Sequence, residues 1–229
     1  MIWSVLRAEL AGQDGHKLNV VDVGGGTGGF AVPLAESGHT VTVVDPSPDA
    51  LAALLRRAAD AGVADRVHGL QGDADSLASL VSPGEADLVL CHAVLEVADD
   101  PESVAAALAR VLRAGGAASV LVANRSAAVL GRAIAGQFHL AEQLLTPGAD
   151  RVAGRGSLLR RFDIEGATGL LTRAGLAVEQ VHGVRVVADL VPGVLADADP
   201  EGLVGFELAA SDLPPYRDIA TQLHLLARR

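Results

Sequence analysis

The 229-residue chain has very few of the residues that several common kinds of site require. Its one cysteine, Cys91, excludes an intrachain disulfide and a zinc site built from several cysteines. Its one lysine, Lys17, precedes a leucine, so the sequence has no phosphate-binding Gly-Lys-Ser/Thr loop. Its one tyrosine, Tyr216, has no lysine four positions later, which excludes a Tyr-x-x-x-Lys dehydrogenase motif. We expect no metal ion as a cofactor.

Long hydrophobic runs are missing as well. No stretch approaches the roughly 18 apolar residues that a membrane span needs, and Arg7 and Glu9 interrupt the N-terminal residues 1–10, which is not typical of a signal peptide. Half of the residues are nevertheless apolar, enough to bury the core of one domain. We therefore expect a single cytoplasmic domain over residues 1–229 with no membrane partner.

Charge is unevenly distributed along the chain. The formal net charge is -10, which argues against a protein that coats polyanions over its whole surface. Residues 110–185, however, carry ten basic and five acidic side chains. This basic segment has two interpretations, a solvated helical surface or a local landing site for an anionic substrate.

Apolar runs of strand length alternate with segments of helical period, which predicts a parallel sheet with helices on both faces. Proline after a capping side chain marks two helix starts, at Ser47 and Asp100, and glycines at 38, 62, 115 and 175 mark helix ends. The predicted strands are 18–23, 39–44, 67–71, 86–90, 117–122, 177–187 and 219–227, and the predicted helices are 28–37, 48–61, 101–112 and 164–174.

Two segments depart from this alternation. Residues 124–163 form an insertion with a weak helix at 127–145, placed where it would stand over the carboxyl ends of the strands. Residues 190–215 contain many acids, prolines and glycines and predict a loop and a short helix. The insertion is where we expect the substrate side of the domain.

A buried strand runs into five glycines within the six positions 24–29. Glycine lets a ligand approach the backbone closely because it has no Cβ. Asp45 follows 21 residues after Gly24, at the end of the second strand, where a carboxylate accepts the hydroxyls of an adenosine ribose. We predict an adenosine cofactor held by Gly24, Gly25, Gly26, Thr27 and Gly28 together with Asp45 and Pro46.

Asp22 decides between adenosine cofactors. A carboxylate two residues before the first glycine repels a pyrophosphate, but it suits a ligand that carries an ammonium group and a sulfonium, such as S-adenosylmethionine. NAD or FAD remains an alternative, because Gly24, Gly26 and Gly29 also satisfy G-x-G-x-x-G. A turn that holds no nucleotide is the other alternative.

Polar residues follow the third and fourth predicted strands. Asp73, next to Ala74, is placed to accept the adenine amino group, although such an aspartate is also a common turn cap. His92 is placed at the methyl-donor end of the same pocket, or is an ordinary packed histidine. Cys91 is interpreted as a small core residue.

The residues 22–28, Asp45 and the strand 87–90 together resemble class I S-adenosylmethionine-dependent methyltransferases over residues 18–123. That resemblance implies a Rossmann-like, doubly wound sheet of seven strands, mostly parallel, with an antiparallel last strand. The strings 92–96, 111–116, 135–138, 183–186 and 215–217 are similar to the tRNA 5-carboxymethoxyuridine methyltransferase group. This second resemblance implies methyl transfer to the carboxylate of a modified wobble uridine in tRNA.

The chain departs from that group in three places. Where members have a lysine-rich stretch, this chain has Arg151, Arg155, Arg160 and Arg161, and where they have an aromatic residue it has Ala123. Members also begin with an extra N-terminal segment, whereas this chain starts just ahead of the first helix. We therefore leave open whether Met1 is the native start.

A carboxylate acceptor calls for arginines that bind it in pairs. The predicted acceptor site consists of Arg125, Arg185 and Arg217, with Tyr216 and His92 orienting the acceptor; each arginine could instead be a surface ion-pair partner. Two alternatives to tRNA remain, a methyltransferase for a small-molecule acid or hydroxyl and a non-catalytic S-adenosylmethionine-binding protein.

Overall fold

The computed structural model describes residues 1–12, 16–146, 151–153 and 158–229, and within them lie nine strands and eleven helices. The strands are β1 (Asn19–Val23), β2 (Thr40–Asp45), β3 (Val67–Gln71), β4 (Ala86–His92), β5 (Leu112–Ala123), β6 (Arg151–Ala153), β7 (Leu158–Arg160), β8 (Ala177–Val184) and β9 (Gln222–Arg228). The helices are α1 (Ile2–Ala11), α2 (Ala31–Glu36), α3 (Pro48–Asp60), α4 (Leu77–Leu80), α5 (Pro101–Val111), α6 (Arg125–Ile134), α7 (Phe138–Leu145), α8 (Ile164–Arg173), α9 (Gly193–Ala198), α10 (Pro200–Ala210) and α11 (Tyr216–Ile219).

Seven of these strands form one sheet in the order β3-β2-β1-β4-β5-β9-β8. The pairs from β3 to β5 are parallel, and β9 runs antiparallel to both of its neighbours. The order reverses between β1 and β4, and ligands bind at this point of a doubly wound sheet, outside the carboxyl ends of the strands. The predicted mostly parallel, seven-stranded sheet with an antiparallel last strand is confirmed.

Hydrophobic side chains cover both faces of the sheet, as a parallel sheet requires. On one face α5 and α8 pack through residues such as Leu108 and Leu171. On the other face α1, α2 and α3 pack through Leu6, Leu34 and Leu54, all fully buried. Helices therefore cover both faces of the sheet, and a binding site is expected at the carboxyl ends of its strands.

The capping signals in the sequence locate helix starts accurately. The side chain of Ser47 accepts a hydrogen bond from Ala50 N at the start of α3, and Asp100 accepts from the first turn of α5. Gly115 was wrongly predicted to end a helix. Helix α5 ends at Val111 and β5 begins at Leu112, so Gly115 lies inside the strand, where its N–H donates to the carbonyl of Arg229.

The substrate-side segments contain more structure than their sequence indicates. The weak helix at 127–145 is two helices, α6 and α7, and Gly136 lies between them at φ +71°. The predicted loop at 190–215 contains α9 and α10, and Ile219 belongs to α11 rather than to the last strand. Arg155 lies outside the described residues. In the described part of the chain, no helix has the length and apolar character to cross a membrane.

An ion-pair network joins the first helix to the last strand. Both terminal nitrogens of Arg228 on β9 bond to Glu9 on α1, at 2.6 and 2.9 Å, and one of them also bonds to Glu179 on β8 at 3.0 Å. The Glu9 side chain is only 11% exposed. The carboxylates raise the pKa of Arg228 above its ordinary value, because both stabilise its charged form.

We expect Glu9→Ala to lower the free energy of unfolding by about 1–2 kcal/mol, because the variant removes a two-pronged, largely buried pair with Arg228. Urea unfolding followed by the fluorescence of Trp3, the one tryptophan, measures the change. Glu36→Ala, at an exposed position, is the control. Equal unfolding midpoints for the two variants would contradict the prediction.

Candidate active site

A cavity of about 410 Å³ opens at the carboxyl ends of the strands around β1 and β4. This volume lies in the range of about 300 to 1,000 Å³ that is usual for small-molecule sites. We call it cavity A. Six of the sequence-predicted cofactor residues border it, namely Gly24, Asp45, Pro46, Asp73, Ala74 and His92.

The glycine turn lies against buried side chains and not only against the cavity. Gly24, Gly26 and Gly28 have φ of +70°, +55° and +83°, a region that favours glycine. A Cβ on Gly25 would stand 2.5 Å from Oδ2 of Asp22. Of the predicted loop residues only Gly24 borders cavity A. The others shape the turn that closes one side of it.

Asp45 joins the end of β2 to the glycine turn. Its Oδ2 accepts a hydrogen bond from Gly26 N and its Oδ1 from Ser47 N, both at 2.9 Å. Each carboxylate oxygen has a second lone pair, so Asp45 retains acceptor capacity toward the cavity. The arrangement suits a pair of ribose hydroxyls, the role that the sequence predicts.

Asp73 caps a turn and borders cavity A, and its contact with adenine stays a prediction. Its Oδ1 accepts a hydrogen bond from Ser76 N at 2.8 Å, which caps the turn before α4. The hydrogen bonds from Ser76 lower the pKa of Asp73, since they stabilise the charged form. Asp73 therefore borders cavity A as a fixed acceptor.

Asp22 is the buried charge of the site. It is 3% exposed, and its Oδ2 accepts no hydrogen bond from the described residues. Burial, and then the neighbouring Asp45, raise the pKa of Asp22 to about 7. Because it lies beneath Gly25 and outside the lining of cavity A, direct contact with a ligand stays a prediction. A positive charge above the turn would stabilise the ionised form.

His92 takes part in a buried hydrogen-bond chain. Its Nε2 lies 2.9 Å from the hydroxyl of Ser119, and that hydroxyl lies 2.8 Å from Nε2 of His224. One hydroxyl has one proton and can donate to only one of the two rings, so at least one imidazole donates to Ser119. Burial lowers the pKa of His92 to about 4 and that of His224 to about 3. Both rings are therefore neutral near pH 7.

Aromatic rings connect α1 to this chain. Trp3 stacks on Phe30, with ring centroids 5.0 Å apart, and Phe30 meets the edge of His92 at 4.8 Å. Trp3 is the one tryptophan. It is connected to His92 at cavity A through Phe30.

A second cavity of about 380 Å³, cavity B, lies where β5 ends and β9 begins. Arg161, Arg185, Asp189 and Thr221 are among its lining residues. Asp189 forms an ion pair with Arg185 and accepts a hydrogen bond from the Thr221 hydroxyl at 2.7 Å. Arg185 has φ +60°, an uncommon backbone conformation for this residue type and one that often accompanies a functional site.

A single carboxylate fixes the loop that carries Arg185. Glu207, on α10, accepts hydrogen bonds from three consecutive backbone N–H groups, those of Val186, Val187 and Ala188, at 2.7, 2.8 and 2.8 Å. No pattern in the sequence indicated this role, because Glu207 stands in a segment interpreted as a loop and short helix. It connects α10 to the rim of cavity B.

The predicted acceptor residues are not all brought together. His92 borders cavity A and Arg185 borders cavity B. Arg125 forms an ion pair with Asp163 outside both. Tyr216 and Arg217 lie on α11 and border neither cavity; Arg217 bonds to Asp218 at 3.0 Å and Tyr216 is 48% exposed. Sequence reasoning did not select Arg161, although it belongs to the basic segment.

Comparison with known proteins agrees with this geometry. A family model described as a methyltransferase domain matches residues 21–120. The tRNA 5-carboxymethoxyuridine methyltransferase of Escherichia coli K12 is 30% identical over 239 aligned residues, which cover all of this chain and 87% of the relative. A ubiquinone biosynthesis O-methyltransferase of Methylococcus capsulatus is 32% identical over 167 residues, or 71% of this chain and 68% of the relative.

Solved structures share the fold. An S-adenosylmethionine-dependent methyltransferase from Mesorhizobium loti aligns with a TM-score of 0.66 at 21% identity, over 99% of this chain and 97% of that one. A methyltransferase of Burkholderia thailandensis, crystallised with 1,6-didemethyltoxoflavin and S-adenosylhomocysteine, aligns with a TM-score of 0.58 at 18% identity, over 97% and 75% of the two chains.

The chain belongs to the class I S-adenosylmethionine-dependent methyltransferases. Its cofactor is S-adenosylmethionine. Oδ2 of Asp22, which accepts no hydrogen bond from the part of the chain that the structure describes, and the acceptor capacity of Asp45 fit a cationic adenosine cofactor. Within this family its sequence resembles the E. coli tRNA 5-carboxymethoxyuridine methyltransferase from end to end.

We expect Asp22→Asn to stabilise the chain increasingly as pH rises. In the unfolded chain Asp22 ionises near 3.8 and in the folded chain near 7, so the folded state binds more protons between these values and wild-type stability falls with rising pH. At pH 8 the penalty is on the order of 4 kcal/mol, and it vanishes below about pH 4.

Chemical denaturation of the wild type and of Asp22→Asn across this pH range measures the difference. Asp60→Asn, at an exposed position on α3, is the matched control. The prediction would be contradicted if the stability difference between Asp22→Asn and the wild type did not change with pH. Asp22 would then be ionised in the folded chain throughout this pH range.

We expect Gly26→Arg to abolish binding of S-adenosylmethionine, because the large side chain would fill the space beside Asp45 that the turn leaves open. Gly29→Arg adds the same side chain where nothing lies within 4 Å of its Cβ, and it should bind the cofactor normally. Titration calorimetry measures both. Normal affinity in Gly26→Arg would count against this placement of the cofactor.

Proposed function

We propose that this methyltransferase transfers a methyl group to the carboxylate of a modified wobble uridine in tRNA, with the acceptor in cavity B. The observation that carries the proposal is the extent of the similarity to the E. coli tRNA methyltransferase, which covers the whole chain. It therefore includes the segments beyond residue 120 that form cavity B, whereas the general methyltransferase family model ends there.

The charges around cavity B favour an anionic acceptor. Arg161 and Arg185 both border the cavity. Arg185 is paired with Asp189, whereas no carboxylate oxygen of the described residues lies within 4 Å of the Arg161 guanidinium, which donates to the carbonyl of Arg160 at 3.1 Å. Arginine binds carboxylates through two parallel hydrogen bonds. Arg161 thus adds a second candidate ligand for the acceptor.

The chemistry asks this chain mainly for orientation. When bound, S-adenosylmethionine supplies a methyl group on a positively charged sulfur. A carboxylate with a pKa near 4 is already ionised at neutral pH, so no residue has to remove a proton from it. Correct alignment of two reactants contributes on the order of 7 kcal/mol or more to lowering a barrier.

His92 fits the same scheme as an orienting residue. It borders cavity A, and its neutral ring is fixed by the hydroxyl of Ser119. A neutral imidazole adds no charge that would compete with the cationic cofactor. Tyr216 is exposed and Arg217 is partly buried, and neither borders the two cavities, so their proposed contact is with the parts of a larger acceptor that remain outside.

A small-molecule hydroxyl is the second candidate acceptor. The ubiquinone O-methyltransferase similarity favours it, since it extends over 71% of the chain. A hydroxyl must lose its proton before or during attack, and His92, which borders cavity A, would then be the candidate base. The two candidates therefore differ in how turnover depends on pH.

For a carboxylate acceptor, we expect the turnover number to be constant between about pH 6 and pH 9. The reason is that the pKa values of the acceptor carboxylate and of His92 both lie below this range. A hydroxyl acceptor with a pKa near 10 would give a turnover number that rises about tenfold per pH unit. Single-turnover rates at saturating cofactor measure the profile. A tenfold rise per unit would contradict the carboxylate proposal.

We expect Arg185→Ala to reduce turnover by about 30-fold or more while the affinity for S-adenosylmethionine stays unchanged, because a paired arginine that binds a charged partner contributes about 2 kcal/mol or more. Arg217→Ala should also reduce turnover. Arg56→Ala, exposed on α3, is the control. Full turnover in Arg185→Ala would remove this residue from the acceptor site.

Mass spectrometry of tRNA nucleosides tests the acceptor directly. Cells that lack the gene should lose the methyl ester of the modified wobble uridine, and restoring the wild-type chain should return it. An unchanged nucleoside profile would reject tRNA as the acceptor and favour the small-molecule hydroxyl.

A further inference from the structure

The turn after β8 has a strained backbone. Of the non-glycine residues that the structure describes, Ala93 and Arg185 have a positive φ, at +58° and +60°. Ala93 borders cavity A and Arg185 borders cavity B. A residue with a side chain stays in this conformation only where its surroundings impose it. Neighbouring contacts therefore have to hold Arg185 in place.

One side chain holds the residues that follow Arg185. Oε2 of Glu207 accepts the N–H of Val186 at 2.7 Å. Oε1 of the same carboxylate accepts the N–H groups of Val187 and Ala188, both at 2.8 Å. Hydrogen bonds to a carboxylate are roughly twice as strong as those between neutral groups. Val186 is buried, so water does not replace Glu207 as the partner of its N–H.

Further contacts join α10, the helix of Glu207, to the same turn. The N–H of Gly183 on β8 donates to the carbonyl of Ser211, which follows α10, at 2.6 Å. A small buried hydrophobic cluster beside these bonds consists of Val186, Ala210 and Ala220. Helix α10 is therefore attached to the chain on both sides of Arg185.

The carbonyl and the side chain of Arg185 are held as well. The carbonyl accepts a hydrogen bond from Thr221 N at 3.1 Å. The guanidinium forms an ion pair with Asp189, whose second oxygen accepts from the Thr221 hydroxyl at 2.7 Å. Arg185, Asp189 and Thr221 all line cavity B, whereas Glu207 does not. An effect of Glu207 on an acceptor in this cavity therefore has to pass through the turn.

The guanidinium of Arg185 keeps hydrogen-bond donors for an acceptor. Arginine has five N–H groups, and the bond to Asp189 uses one terminal nitrogen. The side chain of Arg185 is 55% exposed. An acceptor carboxylate can therefore bind the remaining N–H groups while Asp189 fixes the plane of the guanidinium.

We propose that Glu207 is a positioning residue of the acceptor site. Its carboxylate holds the turn at residues 186–188, the turn holds Arg185 in its left-handed conformation, and Arg185 binds the carboxylate of the acceptor. The inference rests on the proposed function, since it takes Arg185 as a ligand of the acceptor in cavity B. A guanidinium that is fixed in advance loses less conformational freedom on binding. Glu207 thus promotes binding of the acceptor and leaves binding of S-adenosylmethionine unchanged.

A double-mutant cycle tests whether Glu207 acts through Arg185. The four proteins are the wild type, Glu207→Gln, Arg185→Ala and the double variant. Glutamine keeps the shape of the side chain, but its NH₂ group faces at least one backbone N–H that the carboxylate accepts. The acceptor is an anticodon stem-loop RNA with 5-carboxymethoxyuridine at the wobble position, and kcat/KM is measured at saturating S-adenosylmethionine. Calorimetric affinity for S-adenosylmethionine verifies folding, and Glu201→Gln, exposed on the same helix, is the matched control.

We expect Glu207→Gln to lower kcat/KM for the RNA about tenfold, because the guanidinium is no longer held toward the acceptor. In the Arg185→Ala background the same change should lower kcat/KM by less than about twofold, because the group that Glu207 positions is gone. Affinity for S-adenosylmethionine should stay unchanged in all four proteins, and Glu201→Gln should match the wild type. A purely structural role of Glu207 would lower kcat/KM equally in both backgrounds.

A second acceptor separates failure of the inference from failure of the proposed function. Equal losses in both backgrounds overturn the inference, and the proposed function then stands because the RNA is methylated. A wild-type chain that does not methylate the RNA rejects the proposed function, and the cycle is then measured with 3,4-dihydroxybenzoate, a small acid with hydroxyl groups. Coupling between Glu207 and Arg185 with this acceptor supports the inference for a small acid. Methylation of neither acceptor, or methylation without coupling, overturns it.

Discussion

A carboxyl group buried without a full set of hydrogen-bond partners underlies the architecture of this site. Asp22 is the last residue but one of β1 and lies beneath the glycine turn, and its Oδ2 has no hydrogen-bond donor among the described residues. Gly25 is required above it, because any Cβ there would collide with that oxygen. Asp45 lies close enough to raise the pKa of Asp22 further. The folded chain thus tolerates a destabilising group at the place where a cationic cofactor would stabilise it, as functional sites often do.

Strand order explains why the cavities are neighbours. β4 and β5 are parallel partners, so His92 and Ala123 end at the same edge of the sheet. The antiparallel strand β9 begins at that edge, and its partner β8 ends there next to Arg185. Cavities A and B therefore lie along one edge of the sheet although their lining residues are far apart in sequence. The hydrogen bond between Ser119 and His224 crosses from β5 to β9 in the same way.

Features set by short segments were predictable from the sequence. Apolar runs, capping residues and the glycine turn report local structure, so the parallel strands, the starts of α3 and α5 and the bordering positions of Asp45 and His92 followed from them. Features that depend on long-range contacts were not predictable from the sequence. Glu207 reaches a loop about twenty positions earlier. Arg161 is placed by hydrogen bonds of its neighbours to Glu96, in the segment after β4, and to Ala123 at the end of β5. Tyr216 and Arg217 were grouped with Arg185 by resemblance, but a separate short helix holds them outside both cavities.

The most direct test of this account is the pH dependence of S-adenosylmethionine binding in the wild type and in Asp22→Asn, measured by titration calorimetry. If the cationic cofactor lies above Asp22, binding favours the ionised carboxylate, and wild-type affinity should rise about tenfold more than that of the variant between pH 6 and pH 8. Comparison of the two proteins cancels the titration of the cofactor's own amino group. Identical pH dependence in both would contradict the account.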